Sequence, residues 1–318
     1  MPEPPTWSSV SDFVAPSGPV AVAEAWTKRT RRVTATYVAL TKPRVIELLL
    51  VTTVPAMVLA ARGVPSLALV AAVLVGGALA AGGANTINCW IERDRDQLMR
   101  RTRHRPLPSG AIDPSRALLF GVVLEVAAFA ILWASANLLA ATLAIAATVF
   151  YVFVYTIWLK PRTVQNIVIG GAAGAVPVLV GWAAVTGGVG VPALVLFGVV
   201  FCWTPAHFWA LALRYRDDYA AAGFPMLPVV RGPDVAATQI LAYAVIVSVL
   251  TLALPLVTTM GVLYWVAAGL LGVVLIAQAF RLRRAPSAQR AIAFFSLSNT
   301  YLALLFAAVA LDTLIRAR

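Results

Sequence analysis

The chain has 318 residues, 61% of them hydrophobic and only 12% charged, with 25 Lys+Arg against 13 Asp+Glu and a formal charge of +12. Soluble domains carry about a quarter charged residues, so this composition excludes an ordinary soluble core and points to an all-α, polytopic membrane protein. The positive charges are scattered between apolar stretches, which speaks against a nucleic-acid partner and for topology signals in a lipid bilayer or attraction to anionic substrates.

Residues 1–36 carry Pro and Ser without a basic segment leading into an apolar one, and read as a disordered tail rather than a cleaved signal. Residues 37–318 read as one integral membrane domain. Nine stretches are apolar and long enough, or nearly so, to cross ~30 Å of hydrocarbon, at about 45–62, 67–92, 116–134, 138–158, 164–185, 191–213, 235–256, 261–280 and 291–313. Lys42-Pro-Arg44 precedes the first. The second ends in Asn88-Cys-Trp-Ile-Glu92-Arg-Asp94-Arg-Asp96. There Asn88, Glu92 and Asp96, spaced i, i+4, i+8, share a helix face and span ~12 Å. Asn85 extends this polar stripe toward the bilayer. Hard cations such as Mg²⁺ take oxygen ligands and pair with phosphates, so an oxygen-lined helix end beside an apolar interior suits a diphosphate carrying a lipid tail. A solvated helix end whose acids pair with Arg93, Arg95 and Arg100 is the ordinary alternative.

The third stretch holds Glu125 at mid-span, where it must be neutral, paired or facing a cavity. The fourth is followed by Lys160-Pro-Arg162 and then by Gln165 and Asn166. Lys160, Lys42 and Arg44 can each neutralise phosphate as point charges or simply anchor the chain; anchoring is the simpler account of Arg162. The fifth stretch carries Gly170-Gly-Ala-Ala-Gly174, a small-residue pattern suited to close helix packing. The sixth contains His207, either a structural hydrogen-bond former or a group that orients a metalloporphyrin. It ends in Asp217 and Asp218, a second acidic helix end. Cys89 and Cys202 are isolated, and no disulfide framework is expected.

Residues 1–44 and the alternate loops near 93–116, 159–163, 214–234 and 281–290 hold 22 of the 25 Lys+Arg. The positive-inside rule then places the N-terminus in the cytoplasm and, after nine crossings, the C-terminus outside. Both acidic helix ends fall on the cytoplasmic face.

At these residues the chain resembles the UbiA family of intramembrane prenyltransferases. The resemblance rests on Leu40-Thr-Lys-Pro-Arg44, on Asn88-x₃-Glu92-x₃-Asp96 followed by Met99-Arg-Arg-Thr102 and Arg105-Pro-Leu107, and on Tyr155-x₃-Leu159-Lys-x-Arg162. It continues through Gln165 to Gly174, Trp203-x-Pro-x-His-Phe-Trp209, Asp218-Tyr-x₃-Gly-x-Pro-Met-Leu-Pro228 and Asn299-Thr-Tyr-Leu302. It covers roughly residues 37–313 and implies nine helices around a central cavity.

It further implies a Mg²⁺-dependent transfer of a farnesyl group from farnesyl diphosphate to haem b, giving haem O. Haem b is then a substrate, and a downstream haem A synthase or oxidase assembly factors are the implied recipients of the product. Asn88, Glu92, Asp96, Asp217 and Asp218 are the expected metal ligands, and Lys160 joins the first three in catalysis. Lys42, Arg44, Asn85 and Arg100 are expected to bind substrate, as are Arg162, Gln165, Asn166 and His207. Two positions depart from the family pattern. Glu92 stands where an aspartate is usual, and Ala221 and Ala222 replace the partners four residues after Asp217 and Asp218. A quinone-ring or tetrapyrrole acceptor is the neighbouring alternative, and an anion transporter the alternative of another class.

Overall fold

The structure, a computed structural model, describes residues 19–317, with the side chains of residues 19–29, 44, 45 and 47–50 outside the description. Every regular element among the described residues is helical. The succession is α1 (Pro19–Thr41), α2 (Pro43–Ala61), α3 (Leu67–Leu98), α4 (Pro114–Ser135), α5 (Leu138–Leu159), α6 (Asn166–Thr186) and α7 (Val191–Arg214). Then follow α8 (Arg216–Ala221), α9 (Leu227–Val230), α10 (Gly232–Thr251), α11 (Leu254–Val257), α12 (Val262–Arg284) and α13 (Ala288–Arg316).

Eight of these segments are long and apolar enough to cross a membrane, counting α10 and α11 as one. They coincide with the second to ninth expected spans. The first expected span is the shorter case: α2 runs Pro43–Ala61, and its apolar part is Val51–Ala61. Local chemistry sets the helix starts. Ser66, Asp113, Asn137 and Ser287 cap α3, α4, α5 and α13 by accepting backbone N–H groups. Proline in the first turn opens α2, α4 and α7, where its missing N–H costs nothing.

The expected disordered stretch to residue 36 is corrected in part. Residues 19–36 belong to α1, whose alanines and arginines favour helix even though residues 30–35 stay exposed. Residues 1–18 lie outside the described residues.

The outer faces of the bundle are apolar, as on α4 with Leu119, Val126 and Trp133, or α12 with Val266, Leu270 and Val273. In lipid this costs nothing, since helices satisfy their own backbone groups. Buried packing forms one large cluster among α6, α7, α10, α12 and α13 and a smaller one of Met57, Val73, Leu132, Ala140, Val180 and neighbours joining α2 to α6.

Two irregularities shape the interior. The second half of α5, Phe150–Leu159, is wound as a π-helix, a rare geometry that recurs at functional sites. Tyr155 there lies so close to α6 that a Cβ on Gly170 would sit 2.2 Å from the Tyr155 ring. The loop after α3 folds back on the bundle, burying Met99, Leu107 and Ile112, the last two beside Leu40, Cys89 and Ala117.

Candidate active site

Asn88, Glu92 and Asp96 occupy the C-terminal end of α3, and all three are buried, Asp96 completely. Each is met by a cation. Lys42 donates to Asn88 Oδ1 at 2.8 Å. Lys160 donates to Glu92 Oε1 at 2.5 Å and Oε2 at 2.7 Å. Arg105 donates to Asp96 Oδ2 at 2.8 Å. Burial alone would pull the Arg105 proton affinity down; the Asp96 carboxylate outweighs it and holds the guanidinium above its ordinary value.

The backbone works to place these cations. Lys42 sits at φ 53°, ψ 63°, in the left-handed region, between α1 and Pro43. A lysine there is strained, and proline after it already disfavours the ordinary helical region. The kink carries its ammonium across to α3. Lys160 leaves the π-wound end of α5, with its ammonium 4.7 Å from the Phe224 ring and 5.7 Å from the Tyr155 ring. Asn88 is fixed from behind, its Nδ2 donating to Thr156 Oγ1 at 3.1 Å. Thr102 Oγ1 donates to the Asp96 carbonyl at 2.8 Å and closes the turn that brings Arg105 back.

The second acidic helix end behaves differently. Asp218 is buried, accepts the Arg101 backbone N–H at 3.2 Å and lies 3.5 Å from Arg100 Nε. Its neighbour Asp217 is exposed. Asp218 therefore ties α8 to the loop that follows α3. Among the described residues no three His, Cys, Asp or Glu side chains converge closely enough to hold a metal. The donor set nonetheless fits Mg²⁺ in kind. It offers buried oxygens, Asp96 Oδ1 finds no partner among the described residues, and the chain's own cations stand where positive charge is wanted.

Below the motif lies an apolar cavity of about 170 Å³ between α2, α3, α5 and α6. Asn85, whose Nδ2 donates to Thr41 O at 3.0 Å, stands in its wall on the motif side. Tyr151, stacked on Tyr155 with ring centroids 5.4 Å apart, stands there too. Beyond them the wall is nearly all Gly, Ala and Val. The α3 wall residues Val73, Gly77, Ala81 and Asn85 continue into Asn88, Glu92 and Asp96 within half the helix circumference. One side of one helix thus carries both a greasy channel and an oxygen-bearing head.

The other expected residues fall elsewhere. Arg162 is exposed and donates to the Ile157 and Trp158 carbonyls at 2.8 and 3.0 Å, so it caps the end of α5. Gln165 is exposed. Asn166 is fully buried and donates to Thr163 O at 2.5 Å, while its Oδ1 finds no partner among the described residues. The Arg44 side chain lies outside the described residues. His207 is sandwiched between Trp203 and Phe295, at 4.1 and 4.2 Å between centroids, and its Nδ1 is 2.7 Å from Ser298 Oγ. Glu125 finds a partner in Thr148, whose hydroxyl donates to Oε1 at 3.1 Å from the cavity wall.

Sequence reasoning missed three groups. Arg105 stands in the Arg105-Pro-Leu107 match, but nothing there gives it a role of its own. Tyr151 reads as another apolar-helix aromatic. Asp312, at the far end of the bundle, accepts the Gly261 and Tyr264 N–H groups at 2.7 and 3.2 Å and so caps α12 from α13.

The sequence matches the model of the UbiA prenyltransferase family over residues 49–305. It is 55% identical to protoheme IX farnesyltransferase 1 of Saccharopolyspora erythraea over 284 residues, covering 89% of this chain and 91% of that one. It is 50% identical over 310 residues to the protoheme IX farnesyltransferase of a Parafrankia species, covering 96% and 97%. In fold it is similar to a UbiA homolog from Archaeoglobus fulgidus bound to GPP and Mg²⁺, with a TM-score of 0.61, 19% identity and coverage of 86% of this chain and 99% of that one. With a buried asparagine–carboxylate stripe opening on an apolar channel inside a membrane bundle, and with these matches along most of its length, the chain belongs to the UbiA prenyltransferase family.

Proposed function

We propose that the protein transfers the farnesyl group of farnesyl diphosphate to a vinyl group of haem b, giving haem O and free diphosphate. The observation that carries this reading is the shared side of α3, where a chamber for a prenyl tail meets a charged seat for its diphosphate. The haem acceptor is supported by the two relatives named for this reaction.

Asn88, Glu92 and Asp96 would hold Mg²⁺, with Asp218 assisting from α8. Bound there, Mg²⁺ supplies positive charge to the departing diphosphate. Lys42, Lys160 and Arg105, each now on one motif residue, are within reach of the phosphate oxygens and take part of their charge. The allylic C–O bond breaks with its electron pair on diphosphate. Tyr151 and Tyr155 present aromatic rings to the allylic cation, and the apolar chamber keeps water from it. The vinyl group then forms the new C–C bond. Water captures the resulting cation beside the macrocycle and releases one proton. His207, held by Ser298 and flanked by two rings, is suited to orienting a flat macrocycle.

In this reading the N-terminus and both acidic helix ends are cytoplasmic and the C-terminus is outside, as the placement of 22 of the 25 Lys+Arg supports. The catalytic unit begins near residue 37, and a haem-modifying enzyme or oxidase assembly factor would receive the product. The test is mass spectrometry of the haems in cells that lack their own haem O synthesis. Wild-type protein should yield haem O; its absence would overturn the assignment of the acceptor.

A further inference from the structure

The chamber has a measurable depth. Its α3 wall runs from Asn85 to Val73, and twelve residues at ~1.5 Å each give ~18 Å. An extended isoprene unit, four C–C bonds of about 1.5 Å in zigzag, advances roughly 5 Å. Three units need ~15 Å and fit; four need ~20 Å and overrun the end.

The far end is closed by packing. Val73 and Val180 line the chamber and also belong to the buried cluster with Met57, Ala140 and Ala183. That plug is braced, because Asn137 caps α5 with its Oδ1 and donates from Nδ2 to Ala183 O at 2.7 Å. Gly77 lies one helical turn short of Val73, and a helical turn of 5.4 Å matches one isoprene unit. Nearer the mouth, a Cβ on Gly174 would meet nothing within 4 Å, so the passage there is open.

We propose that Val73 and Val180 form the stop that sets donor length at three isoprene units, and that Gly77 keeps the last unit's place clear. The proposal rests on the prenyl-tail reading of the chamber but not on the identity of the acceptor.

The test measures binding of unreactive ten-, fifteen- and twenty-carbon prenyl thiolodiphosphates with Mg²⁺ to purified protein in nanodiscs, alongside haem products from a mixture of the three diphosphates. A methylene mismatch in an apolar pocket is worth about tenfold or more. Gly77→Leu should therefore raise the ten- to fifteen-carbon binding ratio by at least about tenfold. Val73→Ala should shift preference toward the longer tail, raising the twenty- to fifteen-carbon ratio. Ala144→Leu narrows the chamber from α5 near its closed end and stands in for Gly77→Leu if leucine on α3 disturbs folding. Ratios unchanged from wild type in the folded variants would overturn the stop. Length-selective binding without any prenylated haem would keep the stop and remove the acceptor assignment.

Discussion

At the C-terminal end of α3, Glu92 and Asp96 each face a cation across 2.5–2.8 Å, and Asn88 faces a third. At the start of α8, Asp218 is met by a backbone N–H at 3.2 Å and by a largely exposed guanidinium at 3.5 Å, and Asp217 points outward. Both clusters are carboxylates where a membrane helix gives way to a basic loop. They differ in what surrounds them. The first is enclosed by three elements, each delivering its own positive group. The second leans on the loop that the first one folds. Burial and dedicated partners, rather than the number of acids, are why α3 is proposed as the seat of the chemistry and α8 as its brace.

The largest expected effect lies at the better enclosed end. Asp96→Asn keeps shape and removes charge, and should lower haem O formation by about a hundredfold or more while the protein stays inserted and folded. Full activity in that variant would dissolve the contrast between the clusters. Next comes the buried pair. Lys160→Met leaves Glu92 buried and uncompensated, which costs about 3–5 kcal/mol when such a pair is broken. The thermal midpoint should fall, and Glu92→Gln on top of it should recover stability without recovering turnover.

Asp218→Asn should give an intermediate result, about tenfold in rate, together with faster proteolysis of the loop at residues 99–113. Unchanged cleavage would mean that Asp218 does not brace that loop. Asp217→Asn should be the smallest, within about twofold, because surface substitutions rarely matter. A loss at Asp217 equal to that at Asp218 would reverse their ranking.

Much of this was legible in the sequence. Eight apolar stretches announced their helices because hydrocarbon demands uninterrupted nonpolar length, and the four-residue spacing of Asn88, Glu92 and Asp96 announced a common face. What stayed hidden depends on contacts between distant segments. Arg105 is singled out only once Thr102 turns the loop back onto Asp96. Asp312 looks like a stray acid until Gly261 of a neighbouring helix is brought beneath it. The pairing of Lys160 with Glu92 needs α5 and α3 side by side. The helical state of residues 19–36 was missed because polar composition was weighed above helix propensity.

The π-wound stretch Phe150–Leu159 shifts phase within one helix. Its i to i+5 bonds advance the chain fewer degrees per residue, so side chains after Val149 no longer keep the angular schedule of those before it. Tyr151, Tyr155, Thr156 and Lys160 share one inward bearing on account of that slower rotation. The same ten residues wound as an ordinary α-helix would turn further and carry the final ammonium around the axis, away from its carboxylate. The winding of this segment thus matters to the cation's reach as much as its composition does.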